Sequence, residues 1–322
     1  MKLKNAFQLS LAALVWGIAF VAQSSASEVI RPFTFNGLRS ILGGFALLPL
    51  ILYKNKSSEY TEQTTQNTSD AVHADVFKSD SVQNNTRYIG LIGGICCGIC
   101  LLFGSTLQQF GIEKTTVGKA GFITALYIIF VPIVSAFIFR KKITLPVLVS
   151  AILGMFGLYL LCMKESLSLS TGDTLVFLCA LAFTAHILVI DYFTQFVDGV
   201  VLSCMQFFFV GLISLPFILF WERPSLSDIL QAAIPILYAG FMSCGIGYTL
   251  QIVGQKGMNP TVASLILSLE SVFSALAGWI ILGQKLSGRE LTGCVVMFGA
   301  IVLATTGDSF HFKQDKDRTI YY

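Results

Sequence analysis

The stretch Thr106-Leu107-Gln108 recurs as Thr249-Leu250-Gln251, at an offset of 143 in residue number, and this recurrence decides the fold. The same offset relates further pairs in the two stretches: Gly111 and Gly254, Ala120 and Ala263, Leu126 and Leu269, Phe130 and Phe273, and Lys142 and Lys285. Nearer the start of each half the offset is 167, which pairs Trp16 with Phe183, Arg39 with Gln206, Gly44 with Gly211, and Pro49 with Pro216. The chain therefore consists of two weakly similar halves, an organisation typical of membrane transporters with internal repeats.

The composition indicates a membrane protein. Of the 322 residues 54% are hydrophobic and only 12% are charged, whereas a soluble domain carries about 25% charged residues. The net charge of +3 suggests no nucleic-acid partner. Eight cysteines lie scattered in apolar stretches and the three histidines are dispersed, so we expect neither a disulfide framework nor a metal centre or cofactor.

Ten stretches are long and apolar enough to cross a bilayer, which takes about 20 residues. They cover 6–26, 33–53, 88–108, 119–139, 144–163, 174–192, 200–220, 229–251, 260–282 and 288–306. They divide into a first repeat, 6–163, and a second repeat, 174–306, of five stretches each. Because five is odd, the second repeat enters the membrane from the opposite side. The sequence thus predicts an all-α integral membrane protein with ten transmembrane helices in two inverted five-helix repeats.

The distribution of lysine and arginine predicts the orientation. With the amino terminus in the cytoplasm, the inner loops of the first repeat hold nine such residues and its outer loops hold four. We therefore expect a multi-pass protein of the cell (inner) membrane with both termini cytoplasmic. The amino-terminal segment up to Ala26 also has features of a cleaved signal peptide, but Trp16 belongs to the repeat, which favours a retained helix.

Two polar segments lie outside the predicted helices. The loop 54–87 is rich in Ser, Thr, Asn, Gln and Asp and poor in aromatic residues, which predicts a disordered cytoplasmic loop. The residues 307–322 form a polar cytoplasmic tail.

Ionisable residues inside apolar stretches are costly and therefore suggest function. Glu270 lies near the middle of the ninth stretch, where it needs a partner, a water-filled cavity or a proton, so it is a candidate proton carrier or a purely structural hydrogen-bonding group. Arg39 could pair with Glu270, bind an anionic group such as a carboxylate, or extend to the membrane interface. His186 is a second candidate for a proton relay, although a lone buried histidine is more often a hydrogen-bonded interior residue.

Aromatic and amide side chains near these residues could form the walls of a small-molecule cavity. We expect this cavity near the midplane between the two repeats. Its candidate lining residues are Trp16, Arg39, Tyr127, Phe183, Gln206, Tyr248 and Glu270. For the aromatic residues, anchoring at the membrane interface is the alternative explanation.

Signatures of enzymes and ATP-driven motors fail on inspection. The glycines of Gly111–Lys119 are spaced too widely for a phosphate-binding loop, and Ala120 stands where that loop requires Ser or Thr. Cys97 and Cys100 form a C-x-x-C pair inside an apolar stretch without a second pair. An enzyme that uses His186, Asp191 and Glu270 would need these groups within hydrogen-bond reach of one another.

The second repeat closely resembles the end of an EamA domain of the drug/metabolite transporter superfamily. The residues that carry the resemblance are Leu267–Ala275 and Gly278–Leu286, followed by Gly293 and Gly299. The first repeat is similar through Leu107-Gln108-Gln109 and Lys119–Tyr127, and Trp16-Gly17 and Arg39 look like the opening helices of the family. Gln284 departs from the pattern, since members usually carry Glu there.

The resemblance implies two inverted five-helix halves, a central cavity and transport by alternating access. Family members mostly export or exchange small metabolites, amino acids among them. The favoured hypothesis is therefore a secondary transporter that exports a small metabolite and is a candidate for proton coupling; no enzymatic activity is expected. The alternative is a non-transporting membrane sensor or scaffold that binds partners through the 54–87 loop. The sequence leaves a homodimer open.

Overall fold

The computed structural model describes residues 3–66, 76–115, 117–140, 144–162, 170–282 and 287–319. Within these ranges the chain is helical and its regular elements follow one another in this order: α1 (Leu3–Ser27), α2 (Pro32–Gln66), α3 (Val76–Ile112), α4 (Val117–Thr124), α5 (Tyr127–Phe139), α6 (Leu145–Cys162), α7 (Thr171–Phe193), α8 (Gly199–Pro216), the π-helical segment Phe217–Glu222, α9 (Leu226–Gln231), α10 (Ala233–Leu237), the π-helical segment Tyr238–Tyr248, α11 (Thr249–Gln255), α12 (Pro260–Leu267), α13 (Leu269–Leu282) and α14 (Gly288–Thr319). Gln284, Lys142 and Lys285 lie outside the described residues.

The described helices confirm an all-α membrane protein. Within the described ranges, nine helical segments are long and apolar enough to cross a membrane. The segment predicted at 144–163 corresponds to the apolar helix Leu145–Leu161, which is shorter than these nine segments and is not counted among them. At about 1.5 Å per residue this helix is about 26 Å long, which is a few ångströms less than the roughly 30 Å thickness of the hydrocarbon core. The predicted number of ten spans therefore stays a prediction.

Contacts between the two halves follow the offsets seen in the sequence. A Cβ atom on Gly44 would touch the ring of Phe208, and one on Gly211 would touch Ile41. The offset of 167 relates both Gly44 to Gly211 and Ile41 to Phe208. A contact that is repeated with its partners exchanged is what an approximate two-fold axis between the halves produces. This symmetry confirms the repeat.

A second pair of contacts obeys the same symmetry through both offsets. Gly111 of α3 packs against Val176 of α7, and Gly254 of α11 packs against Leu9 of α1. The offset of 143 relates Gly111 to Gly254, and the offset of 167 relates Leu9 to Val176. Small residues at these positions let the helix backbones approach closely, which favours helix association in lipid.

Two spans that the sequence predicted as continuous helices are interrupted. The predicted span 119–139 breaks at Ala125-Leu126, between α4 and α5, and the predicted span 260–282 breaks at Ser268, between α12 and α13. Ala125 and Ser268 are equivalent through the offset of 143. At both breaks the backbone forms bonds three residues apart, such as Ile128 N–H to the Ala125 carbonyl oxygen, and these tighten the turn locally.

A further departure from regular α-helix occurs in the eighth predicted span, 229–251. Its centre is the π-helical segment Tyr238–Tyr248, and a shorter π-helical segment begins directly after Pro216. Proline cannot donate a backbone hydrogen bond, which explains the irregular winding after Pro216 and near Pro235. In the longer segment Gly240 lets the backbone of α2 approach, and Gly247 lets the Trp16 side chain approach.

The predicted disordered loop 54–87 also differs from the structure. Its first part, up to Gln66, continues α2, and its last part, from Val76, belongs to α3. Extending an existing helix avoids the cost of nucleation, so polar residues that would not start a helix can prolong one. Residues 67–75 of this loop lie outside the described residues. In the tail, α14 continues to Thr319.

Candidate functional site

A partly open cavity lies between the two halves, with about 500 Å³ of space that includes open solvent at its mouth. Its walls come from α1, α3, α4, α5, α7, the π-helical segment Tyr238–Tyr248, α11, α12 and α13. The lining residues are Trp16, Phe20, Gln23, Gln108, Thr124, Tyr127, Phe183, His186, Ile187, Ser243, Tyr248, Gln251, Leu267 and Glu270. They combine aromatic surface with a few polar groups, which is the usual composition of a small-molecule site.

Most of the lining residues are related by the repeat symmetry. The two offsets, 143 and 167, pair Gln108 with Gln251, Thr124 with Leu267, Tyr127 with Glu270, Trp16 with Phe183, and Phe20 with Ile187. The cavity therefore lies on the approximate two-fold axis. Gln23, His186, Ser243 and Tyr248 have no equivalents in the lining, so these four residues make the lining asymmetric.

The centre of the cavity is the hydrogen bond between the two symmetry-related residues Tyr127 and Glu270. The Tyr127 hydroxyl donates to Glu270 Oε1 over 3.0 Å. Tyr127 is the first residue of α5 and Glu270 is the second residue of α13, so both stand directly after the helix breaks. The N-terminal end of α13 stabilises negative charge on Glu270 through its dipole. The break of the ninth predicted span thus lies directly before Glu270, whose position near the membrane midplane stays a prediction.

An aromatic wall flanks this centre. The ring centroids of Trp16 and Tyr248 lie 4.6 Å apart. The indole of Trp16 packs so closely on Gly247 that a side chain at position 247 would clash with it. Trp16 Nε1 and Gln251 Oε1 are buried and have no hydrogen-bond partner among the described residues. Buried polar atoms of proteins are rarely without a partner, so these two atoms are available to a polar ligand.

His186 lines the cavity and is fixed from behind. Its Nε2 lies 2.9 Å from Gln206 Oε1, and Gln206 is fully buried. Gln206 is therefore not a lining residue. It holds the imidazole of His186 through this contact. The imidazole also packs against the ring of Tyr248, with ring centroids 6.0 Å apart.

Arg39 lies in the interior but outside the cavity lining. It is 3% exposed, and its guanidinium stacks over Phe35 with 5.0 Å between Cζ and the ring centroid. Its Nε has no hydrogen-bond partner in the described part of the chain. No ion pair joins Arg39 to Glu270 within the described ranges, and the side chain does not extend to the protein surface.

The structure thus brings together five of the seven cavity candidates read from the sequence, and His186 with them. It keeps Arg39 and Gln206 in the packing around the cavity. The analysis of the sequence did not include eight lining residues among its candidates: Phe20, Gln23, Gln108, Thr124, Ile187, Ser243, Gln251 and Leu267. Phe20 and Ile187 were accessible to it, because each follows a candidate, Trp16 or Phe183, by four residues and so lies on the same helix face.

Two polar contacts hold helices together near opposite ends of the cavity. Gln109 Nε2 donates to the carbonyl oxygen of Gln23 over 3.1 Å and joins α3 to α1. Gln255 Nε2 donates to the carbonyl oxygen of Ile187 over 3.3 Å and joins α11 to α7. The repeat symmetry exchanges these two helix pairs. In each glutamine the side-chain Oε1 remains without a partner among the described residues.

Comparison with known proteins places the chain in a family. The model of the EamA-like transporter family matches residues 3–163 and 170–306. An uncharacterised transporter of Archaeoglobus fulgidus is 25% identical over 297 residues, which cover 92% of this chain and 84% of the relative. The uncharacterised transporter YoaV of Bacillus subtilis is 20% identical over 297 residues, with 91% and 93% coverage. A solved crystal structure shares the fold with a TM-score of 0.70 at 16% identity and covers 94% of this chain and 96% of its own.

Proposed function

Because this chain belongs to the EamA-like transporter family, we propose that it is a secondary transporter that exports a small metabolite, such as an amino acid, by alternating access. The chain is a multi-pass membrane transporter. The cell membrane, cytoplasmic termini, the class of solute and its outward movement belong to the proposal.

The observation that carries the proposal is the position of the cavity. It lies on the approximate two-fold axis, and both interrupted helices place their breaks beside it. In secondary transporters, discontinuous helices near the membrane midplane form substrate and ion sites at the interface of the repeats. A cavity in that place supports substrate binding, whereas a sensor or scaffold has no need of it.

Alternating access requires that the cavity open to one side at a time. With the amino terminus in the cytoplasm, the Gln109 contact closes the outer end and the Gln255 contact closes the inner end. A single hydrogen bond contributes about 0.5–1.5 kcal/mol net, so either contact can break without unfolding the helices. The repeat symmetry relates the α1–α3 pair to the α7–α11 pair. Opening of either pair would therefore give two related states, one open to each side of the membrane.

Proton coupling would use Glu270. It is 6% exposed, lines the cavity and is bound by only one described side chain, Tyr127. The other titratable groups that face it are Tyr248 and Cys179 from neighbouring helices, and His186 lines the same cavity. Because no arginine or lysine pairs with Glu270 in the described part of the chain, a proton is its available counter-charge.

Efflux from proteoliposomes tests the proposal. Vesicles are loaded with amino acids, sugars, nucleosides and amines, a pH gradient is applied or omitted, and each solute is followed by mass spectrometry. We expect selective loss of one class, faster with the gradient, and we expect Glu270→Gln to abolish the effect of the gradient. Glu28→Gln, which changes a carboxylate outside the cavity lining, is the matched control.

Loss of no solute from vesicles that contain folded, inserted protein would contradict the proposal. It would favour the alternative of a membrane sensor or scaffold, whose partner would then be sought with the 54–87 segment. A gradient effect that persists in Glu270→Gln would leave transport standing and remove Glu270 from the coupling mechanism.

A further inference from the structure

The charge of the cavity lining is one-sided. Among the described residues that line it, Glu270 is the only carboxylate, and no lysine or arginine belongs to them. Arg39 lies outside the lining with its guanidinium stacked on Phe35, but its positive charge acts on Tyr248 of the lining. In a medium of low dielectric constant a carboxylate without an ion-pair partner exerts a strong field. A ligand that contacts Glu270 directly therefore meets negative charge, which favours a cationic group at that position.

The carboxyl group of Glu270 can accept a further hydrogen bond. Its Oε1 accepts the hydrogen bond from Tyr127. Its Oε2 accepts none from the described residues, and the side chain retains 6% exposure. An ammonium group carries donors only. One of these donors can therefore bind Oε2 without displacing Tyr127.

The rest of the lining suits the body of such a ligand. Five of the lining side chains are aromatic: Trp16, Phe20, Tyr127, Phe183 and Tyr248. Aromatic faces attract a cation through their quadrupole, by about 0.5–2 kcal/mol each depending on desolvation, and they pack well against flat apolar groups. Polar groups for a carboxylate are limited to neutral donors such as Trp16 Nε1, which is a weak replacement for an arginine fork.

We propose that the cavity binds a protonated amine attached to an apolar, aromatic body, with the ammonium on Glu270 and the body against Trp16 and Phe183. This inference rests on the proposed function and names the class of its substrate. Of the two charged groups of an amino acid, the site recognises the amine, and the carboxylate is not required for binding. An aromatic monoamine therefore binds at least as tightly as the amino acid of the same side chain.

Calorimetric titration of the full chain in lipid nanodiscs at neutral pH tests this with three probes of equal ring size. These are 2-phenylethylamine, 3-phenylpropionate and phenylalanine. We expect the amine to bind at least about tenfold more tightly than the acid, which corresponds to about 1.4 kcal/mol, and no more weakly than phenylalanine. Glu270→Gln should weaken the amine by at least about tenfold, and Glu28→Gln should leave it unchanged.

A second variant guards against loss of folding in Glu270→Gln. Phe183→Leu keeps the carboxylate and removes one aromatic face, so it should weaken the amine while preserving the preference for the amine over the acid. Equal binding of amine and acid, full amine affinity in Glu270→Gln, or no binding of the amine at millimolar concentration would each overturn the inference.

The titration and the efflux experiment can fail separately. If the amine binds through Glu270 but no solute leaves the proteoliposomes, the amine site stands and the proposed transport falls. If another class of solute leaves selectively and Glu270→Gln does not affect its binding, transport stands and the amine site falls.

Discussion

Gly17→Ala should loosen the packing of α1 against α13 directly beside the cavity. A Cβ atom at Gly17 would lie 2.6 Å from Phe273 Cβ, 2.8 Å from the Glu270 carbonyl oxygen and 2.8 Å from the Ser274 backbone nitrogen. Ordinary van der Waals contact begins at 3.4 Å, and backbone atoms cannot rotate away as a side-chain end can. The two helices must therefore separate by several tenths of an ångström.

The cost of this separation can be compared with known overpacking. Extra methyl groups in well-packed interiors cost about 1–3 kcal/mol, which corresponds to roughly 1.5–4.5 °C in the apparent melting temperature of a chain of this size. The assay is thermal unfolding of purified protein in detergent, followed by gel filtration of the heated samples. The same samples would be titrated with 2-phenylethylamine, because the shift lies beside Glu270.

The matched control is Gly299→Ala in α14. A Cβ atom there meets nothing within 4 Å, so the substitution adds helix propensity without a clash. We expect a melting temperature equal to or above that of the wild type. A Gly17→Ala protein as stable as the wild type would refute the packing of α1 on α13 and, with it, the position of Glu270 in the cavity.

The remaining predictions concern the ends of the helices. Burial raises the pKa of Asp198. The hydrogen bond and charge of Lys54 and two backbone N–H groups lower it by more than this, so that the pKa lies below its usual value. Its ionised form therefore stabilises the fold at pH values above about 3.9, and this contribution is lost as the pH falls through the pKa of the folded state. Both side chains of this ion pair are about half exposed. Asp198→Asn should therefore lower the free energy of unfolding by at most about 1 kcal/mol at pH 7 and leave it unchanged in strong acid. An equal loss of thermal stability at both pH values would contradict this. Gln109→Ala should raise the rate of amide hydrogen exchange in α1 near Gln23 and leave α7 unchanged. Gln255→Ala should raise it in α7 near Ile187 and leave α1 unchanged. Equal changes in both helices in either variant would exclude separate closures of the two ends.

The sequence predicted the architecture well because membranes constrain it strongly. Every backbone group must form its hydrogen bond inside the segment, so long apolar stretches become helices. The repeat offsets also relate contacts found in the structure, since Gly44 and Gly211 pack against residues related by the same offset. Pairs such as Tyr127 and Glu270 were recognisable as equivalents before any distance was known.

The breaks and the π-helical segments were not predictable in the same way. Hydropathy averages over many residues, so it passes smoothly over Ser268 and Ala125, where only a few backbone bonds change partner. The lining was predicted in part for a related reason. A residue such as Ser243 or Thr124 carries no signal of its own and becomes a lining residue only because its helix face turns to the axis.

The exclusion of Arg39 from the lining has a different origin. Charge inside an apolar stretch made Arg39 a candidate for the cavity or the membrane interface, and the structure buries it at 3% exposure. Which interior surface it faces depends on helix rotation, which packing against neighbouring helices sets. Phe35, one turn earlier on the same helix, holds the guanidinium.

The measurement that tests the central claim most directly is efflux from proteoliposomes when the cavity is filled. Ser243→Phe places a bulky ring in the lining at a residue that is 1% exposed. Leu212→Phe introduces the same ring at a position on α8 that is 62% exposed and outside the lining. If the cavity is the substrate path, Ser243→Phe slows efflux by at least about tenfold in folded protein while Leu212→Phe transports normally. Normal efflux in Ser243→Phe would contradict the account, because the solute would then cross by another route.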